Sequence, residues 1–247
     1  MGQRQQVAVV TGGTKGLGKA LSDFLRGKGW YVYVISRTCN DSEFLEQKKP
    51  DHITFDFASE ELMVSIRNSI KHEHIDLLIN NAGTAYSEEQ NEETIETDYK
   101  KIFQTNFISP VKLVLSLRKK LIGGTVINIS SDLSYLPVKK LALYAASKSA
   151  LNTWFASYSQ SEINIRFITI MPSMINTPML KQLLGQAYLQ LKEKMMDPAI
   201  LAKKILSMVD DSSIKTGSEM FISHQNGSHT SQEILRNKTF FKLGDHI

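Results

Sequence analysis

Val7-Ala8-Val9-Val10-Thr11-Gly12-Gly13-Thr14-Lys15-Gly16-Leu17-Gly18-Lys19-Ala20-Leu21 is the stretch from which the fold can be read. A short β-branched run enters a glycine-rich turn, and an amphipathic stretch follows to Leu25. A tight strand-to-helix turn needs residues without Cβ, both for unusual backbone angles and for close approach of a ligand backbone. A helix starting directly after such a turn presents free N–H groups and a positive dipole end, which suits phosphate. The spacing is Gly-x-x-x-Gly-x-Gly, so the commoner Gly-x-Gly-x-x-Gly dinucleotide pattern fits only in part. The Gly-x-x-x-x-Gly-Lys-Ser/Thr pattern of nucleotide triphosphatases does not occur.

The same alternation of apolar runs and longer amphipathic stretches continues along the 247 residues. Strands are expected at 7–11, 31–36, 52–56, 77–80, 125–130, 166–171 and 219–223, with helices at 17–28, 59–72, 93–119, 143–160, 177–196 and 198–210. The strands are apolar almost throughout, as in parallel strands covered on both faces. The pattern predicts one α/β domain: a three-layer, doubly wound parallel sheet of about seven strands, with its ligand crevice where strand order reverses.

Composition removes several function classes. Hydrophobic residues make up 42%, enough for a full core, and 29 Lys+Arg against 25 Asp+Glu leave a formal charge of +4. Arg118-Lys119-Lys120, Lys139-Lys140 and Lys203-Lys204 form no basic stripe with interleaved aromatics, so no nucleic-acid footprint is expected. A single cysteine, Cys39, excludes an intramolecular disulfide and a cysteine-based zinc site. His72 with His74, and His224 with His229, lack metal-ligand spacing, so no metal is expected. No apolar run approaches the ~20 residues of a membrane span. The start lacks a secretory signal pattern, and Gln6 stands where a myristoylation motif needs Ser or Thr. A cytoplasmic protein is the expectation.

About twenty residues beyond the turn, where NAD-binding folds place an acid for the ribose hydroxyls, the chain has Ser36-Arg37. A guanidinium grips a 2′-phosphate through paired, charge-assisted hydrogen bonds, and Lys15 adds a second cation. These residues point to NADP(H) rather than NAD(H). Farther on, Ser130-Ser131 ends a strand, and Tyr144 and Lys148 stand four residues apart on one helix face. A tyrosine with a pKa near ~10 must come down by roughly three units, about 4 kcal/mol, to exchange protons readily at neutral pH. A neighbouring ammonium favours that phenolate. Alone, a Tyr-x-x-x-Lys pair carries little weight.

Taken in order, Thr11-Gly12-x-x-x-Gly16-x-Gly18, Asp56, Asn80-Asn81-Ala82-Gly83, Asn106, Ser131, Tyr144-x-x-x-Lys148, and Pro172 with Thr177 resemble the short-chain dehydrogenase/reductase family, in its single-domain branch, over residues 6 to 223. The resemblance implies a Rossmann-like fold and an NADP(H)-dependent carbonyl reductase or alcohol dehydrogenase. Tyr144 is then the general acid/base, Ser131 orients the substrate oxygen, and Lys148 depresses the Tyr144 pKa and holds the nicotinamide ribose. Asn106 interrupts its helix and orders a water leading to Lys148. Gly12, Thr14, Lys15, Gly16, Leu17, Gly18, Ser36, Arg37, Asp56, Phe57, Asn81, Ala82, Gly83, Tyr144, Lys148, Pro172, Ile175 and Thr177 are the implied cofactor contacts.

Two features depart from the family pattern. Ser173 follows Pro172 where glycine is usual, and residues 224–247 read as a polar tail without the usual acid and paired glycines. The segment 173–197 reads as a substrate lid. Its Met174, Ile175, Met179, Leu180, Leu183, Leu184, Tyr188, Leu189, Leu191, Met195 and Met196 suit an apolar or aromatic carbonyl or alcohol, and ordinary amphipathic packing explains them equally. Leu133, Tyr135, Leu136, Leu141 and Leu143 are candidates for the opposing wall, and the acids from Glu88 to Glu96 for another rim. Ala146, Ala150, Thr153, Trp154 and Ser157 form a second face of the Tyr144 helix, and the resemblance implies a homodimer or homotetramer through it. The competing readings are a non-catalytic NADP(H)-binding regulator on the same fold, and a sugar-nucleotide epimerase or dehydratase, whose chains are longer.

Overall fold

The structure is a computed structural model that describes residues 4–38, 51–59, 63–87, 95–136, 138–223 and 227–230. One sheet holds the molecule together. Its strands are β1 (Val7–Thr11), β2 (Tyr31–Ser36), β3 (His52–Thr54), β4 (Leu77–Asn80), β5 (Thr125–Ile129), β6 (Arg166–Pro172), β7 (Ser218–Ser223) and β8 (Gly227–Thr230). They lie in the order β3-β2-β1-β4-β5-β6-β7-β8, with β8 antiparallel and every other pairing parallel. The chain winds outward from β1 to β3, then returns to the other side of β1 with β4. That reversal opens a crevice at the carboxyl ends of β1 and β4.

Side chains alternate across each strand, so one sequence run feeds two cores. Ala8 and Val10 join Leu21, Leu25, Ile127, Ile168, Leu201 and Ile205 on one face. Val7 and Val9 join Ile66, Leu113, Leu117, Leu151, Phe155 and Phe167 on the other. The first core lies under helices α1 (Gly16–Gly27) and α8 (Pro198–Asp210), which pack side by side. The second lies under α2 (Val64–Ser69), α3 (Ile95–Phe103), α4 (Ser109–Leu117) and α5 (Ala142–Ser161). Arg166 closes the end of α8 by donating to the carbonyls of Met208, Val209, Asp211 and Ile214.

Several expected elements are redrawn. The helix expected over 59–72 is, among the described residues, only α2, because Ile70 turns extended and sends its side chain into the core. The helix expected over 93–119 is split by a π turn at Gln104–Ile108. Pro110 has no N–H for the Asn106 carbonyl four residues back, and the Ser109 N–H instead reaches Gln104, five back. The helix expected over 177–196 breaks into α6 (Pro178–Leu184), a 3₁₀ turn, α7 (Tyr188–Leu191) and a second 3₁₀ turn. Gly185, at φ 52° and ψ −120°, is where the first helix stops. Within the expected polar tail, residues 227–230 form the antiparallel edge strand β8 instead. The rest of that tail, Cys39, and the rim acids from Glu88 to Glu93 lie outside the described residues.

Candidate active site

The glycine turn is held from below by the end of β4. Thr11 Oγ1 accepts the N–H groups of Asn81 and Ala82, both at 2.9 Å, and donates to the Ile79 carbonyl at 3.4 Å. The Asn81 amide donates to the carbonyls of Thr11 at 2.9 Å and Gly12 at 3.4 Å. Gly12 has φ +65°, a conformation open to glycine, and a Cβ there would meet the Ala82 backbone at 3.1 Å. At Gly18 a Cβ would fall 2.2 Å from the Gly12 carbonyl oxygen, so the first turn of α1 lies directly against the loop. A Cβ at Gly16 would press on Thr177 at 3.0 Å, which brings the 172–177 loop over the same turn. Lys15 gives α1 no side-chain cap, and its first turn contains no acid. Uncapped N–H groups at the sheet's ligand-binding edge, beneath glycines that leave room for close approach, fit a cofactor pyrophosphate.

Toward the expected adenosine end, Ser36 is buried while Arg37 and Lys15 are exposed. Ser36 Oγ donates to the Thr38 carbonyl at 2.9 Å and lies 2.7 Å from His52 Nε2, which therefore carries the ring proton. Burial holds the His52 pKa below its ordinary value. Asp56 is exposed at the end of the β3 segment and accepts the Ala58 N–H at 3.0 Å. Two expected cofactor contacts are core side chains: Phe57 packs edge-on against Phe55, and Leu17 lies in the α1 core. Leu17 and Phe57 thus have only backbone to present to a ligand, and Ser109 Oγ already occupies the Phe57 carbonyl at 2.7 Å.

Asn106 sits in the π turn, fully buried. Its Oδ1 accepts the Thr84 N–H at 2.9 Å, and its Nδ2 donates to the Thr84 carbonyl at 2.9 Å and to Ser147 Oγ at 3.0 Å. A Cβ placed on Gly83 would stand 3.5 Å from both Asn106 Oδ1 and Lys148 Nζ, so Gly83 separates the two. Lys148 is buried, its ammonium donating to the Ile129 carbonyl at 2.9 Å and lying 5.8 Å from the Tyr144 ring centre. Burial lowers its pKa to about 8.

Ser131 follows β5 and caps a 3₁₀ turn, Asp132–Ser134. Tyr144, in the first turn of α5, shares a hydrogen bond with Ser131. The structure therefore gathers Ser131, Tyr144, Lys148, Gly83 and Asn106 beside the turn that Thr11, Gly12 and Thr177 define. In the protein alone, however, the Tyr144 pKa moves opposite to expectation. Burial pushes it up to about 12, the Ser131 hydrogen bond pulls it back, and the charge of Asp132 raises it further. Asp132 itself is carried up to about 6 by burial. Sequence reasoning passed over Asp132, Ser147 and His52, since nothing in linear spacing says which polar neighbours burial will bring into contact.

On the substrate side, Pro172 ends β6 in register with Ile222, and Ser173 N–H donates to the Ile222 carbonyl at 2.9 Å. Thr177 caps α6 by accepting the Leu180 N–H at 3.3 Å. The apolar list for the lid divides. Met195 and Met196 are buried, and Ile175 bridges Met196 and packs on the α8 core. Tyr188 donates to Asn176 Oδ1 at 2.5 Å. Met174, Leu183 and Leu184 remain half-buried and Met179 exposed, available to a ligand. Leu136 packs against Met171 and Phe221, and Tyr135 donates to Glu219 at 2.6 Å. Among the described residues no cluster of three or more His, Cys, Asp or Glu could hold a metal ion, and no helix is long and apolar enough to cross a membrane.

Known proteins resemble this chain in family and fold. The profile of the short chain dehydrogenase family matches residues 6–187. A tropinone reductase homolog of Datura stramonium is 33% identical over 193 residues, 72% of this chain and 71% of that one. The human very-long-chain 3-oxoacyl-CoA reductase is 30% identical over 190 residues, 70% of this chain and 61% of that longer relative. Among solved structures, ElxO with NADP bound superposes with a TM-score of 0.76 at 21% identity, covering 88% of this chain and 97% of ElxO, a likeness of fold. This chain belongs to the short-chain dehydrogenase family of oxidoreductases, which work with a nicotinamide cofactor.

Proposed function

We propose that the protein is an NADP(H)-dependent carbonyl reductase or alcohol dehydrogenase acting on a small apolar or aromatic substrate. The observation that carries the reading is the convergence of Ser131, Tyr144 and Lys148 next to the glycine turn, with Lys148 buried among them. A bound NADPH supplies the hydride. Tyr144 gives its proton to the carbonyl oxygen as that oxygen gains charge, and Ser131 donates a hydrogen bond to the same atom. Lys148 holds the ribose and returns a proton to Tyr144, fed by a water on the Asn106 backbone, whose carbonyl Pro110 leaves without its helical donor. Arg37 and Lys15 favour a 2′-phosphate by charge, and the NADP bound to ElxO is in keeping with that preference. Asp56, Asn81, Ala82 and Gly83 flank the adenosine side. The half-buried Met174, Leu183 and Leu184 line the substrate side. The exposed face of α5 with Ala146, Thr153 and Ser157 is the proposed subunit contact.

The test is a panel of carbonyls and alcohols assayed with NADPH and NADP⁺. Tyr144→Phe is expected to lower kcat by about 10²- to 10⁴-fold while NADPH binding, followed by fluorescence, stays intact. Near-normal turnover in that variant would overturn the assignment.

A further inference from the structure

The Ser131 hydroxyl has more claimants than protons. It owns one O–H to donate and two lone pairs with which to accept. Its oxygen accepts the Leu133 N–H at 3.2 Å, and its proton goes to Asp132 Oδ1 at 3.0 Å. Tyr144 competes for that same proton, because its bond with Ser131 lowers the Tyr144 pKa and therefore draws on Ser131 as donor. A substrate oxygen needs a hydrogen bond donated by Ser131, yet that proton is held by a carboxylate on the next residue.

We propose that Asp132 is a positioning residue whose charge decides where the Ser131 hydroxyl points: ionised, it retains the proton; neutral, it releases it to the substrate oxygen. The inference rests on the oxidoreductase reading above and adds a pH gate to the same site. Burial raises the Asp132 carboxyl to about 6, against the pull of Ser131 and of the Leu133 and Asp132 backbone amides. The charge therefore changes just below neutral pH. The other ionisable groups on the elements around it are few. Helix α5 brings Tyr144 and Lys148 to this end and Tyr158 to the far one; β6 carries Arg166 at its opposite end. Tyr135 in the same turn is bonded to Glu219 of β7, and Lys139 and Lys140 are exposed before α5. With Tyr144 at about 12 and Lys148 at about 8, both keep their protons from pH 5 to pH 7.

Reductive kcat at saturating NADPH and carbonyl is measured over that interval for the full-length wild type, Asp132→Asn and Asp132→Ala. A group titrating at about 6 goes from about nine-tenths ionised to about nine-tenths neutral over these two units, so wild-type kcat is expected to rise several-fold toward pH 5. Both variants should give flat profiles, Asp132→Asn near the upper plateau. A flat wild type, or an acid rise that survives in Asp132→Asn, overturns the proposal. A second readout needs no turnover: the Asp132 carboxyl is titrated by carbon-13 NMR in cofactor-free protein. A midpoint of about 6 is expected, moving up by about one unit in Ser131→Ala as the carboxylate loses its donor. A midpoint that ignores Ser131 refutes the coupling. If the coupling is found and no carbonyl is ever reduced, it is the reductase reading that falls.

Discussion

Thr11 and Lys148 are both buried polar residues at the carboxyl edge of one sheet, and their surroundings treat them differently. The Thr11 hydroxyl is fully engaged, with two backbone N–H groups donating to it and a carbonyl receiving its proton. Lys148 has a buried ammonium with one hydrogen bond among the described residues, and burial drags its pKa down to about 8. Satisfied groups of the first kind rigidify a turn, whereas strained groups of the second are maintained at a cost to stability. The glycine turn is built to stay put. The Tyr144 end leaves the Lys148 ammonium buried against a single carbonyl among the described residues.

The comparison can be broken first at Gly18. Alanine normally improves a helix over glycine by ~1 kcal/mol. Here its Cβ would fall 2.2 Å from a backbone oxygen, so Gly18→Ala is expected to cost about 3 kcal/mol or more in chemical denaturation. A neutral result would mean the turn yields, and its supposed rigidity would be gone. The opposite sign is expected at the other end. Lys148→Met removes a charge that burial disfavours, and should stabilise the protein by about 2 kcal/mol at pH 7 while abolishing turnover.

The pH dependence gives the same test more sharply. The folded pKa of Lys148, about 8, lies below its ordinary 10.5, so between these values the unfolded chain binds more protons. Wild-type stability therefore gains from this group as pH rises through that window, by at most about 3 kcal/mol. The Lys148→Met variant lacks that gain, and its advantage should shrink by pH 10. Thermal melts at pH 7 and pH 10 suffice. The smallest effect is expected at exposed Arg37. Arg37→Ala should raise the NADPH KM about tenfold, near 1.4 kcal/mol, and leave the NADH KM unmoved. Equal changes with both cofactors would remove the 2′-phosphate role.

Much of the frame was legible in linear order. Seven strands and the helices between them follow from short apolar runs, because parallel strands are covered on both faces. The interruption at Asn106 was expected from family likeness, although Pro110 carries the physical signal four residues later. The lid was less legible. Its apolar spacing reads as one helix, but Gly185 ends that helix, and Met196 belongs to the α8 core rather than the pocket. The strand at 227–230 escaped notice because an edge strand in a polar stretch has no apolar pattern to announce it.

The sequence alone was enough for the glycine turn and the winding of the sheet, since each follows from residue types at local spacing. The Ser131, Tyr144 and Lys148 set was expected from family likeness, because a Tyr-x-x-x-Lys pair alone carries little weight. Only the tertiary structure decided which way those groups titrate. Lys148 was expected to draw the Tyr144 proton off, yet in the protein alone burial and Asp132 hold it on. Spacing along a chain places side chains on a face, whereas a pKa depends on the water that packing removes and the charges it leaves behind. That is why the spacing of Tyr144 and Lys148 gave no sign of the Asp132 carboxylate that acts on Tyr144.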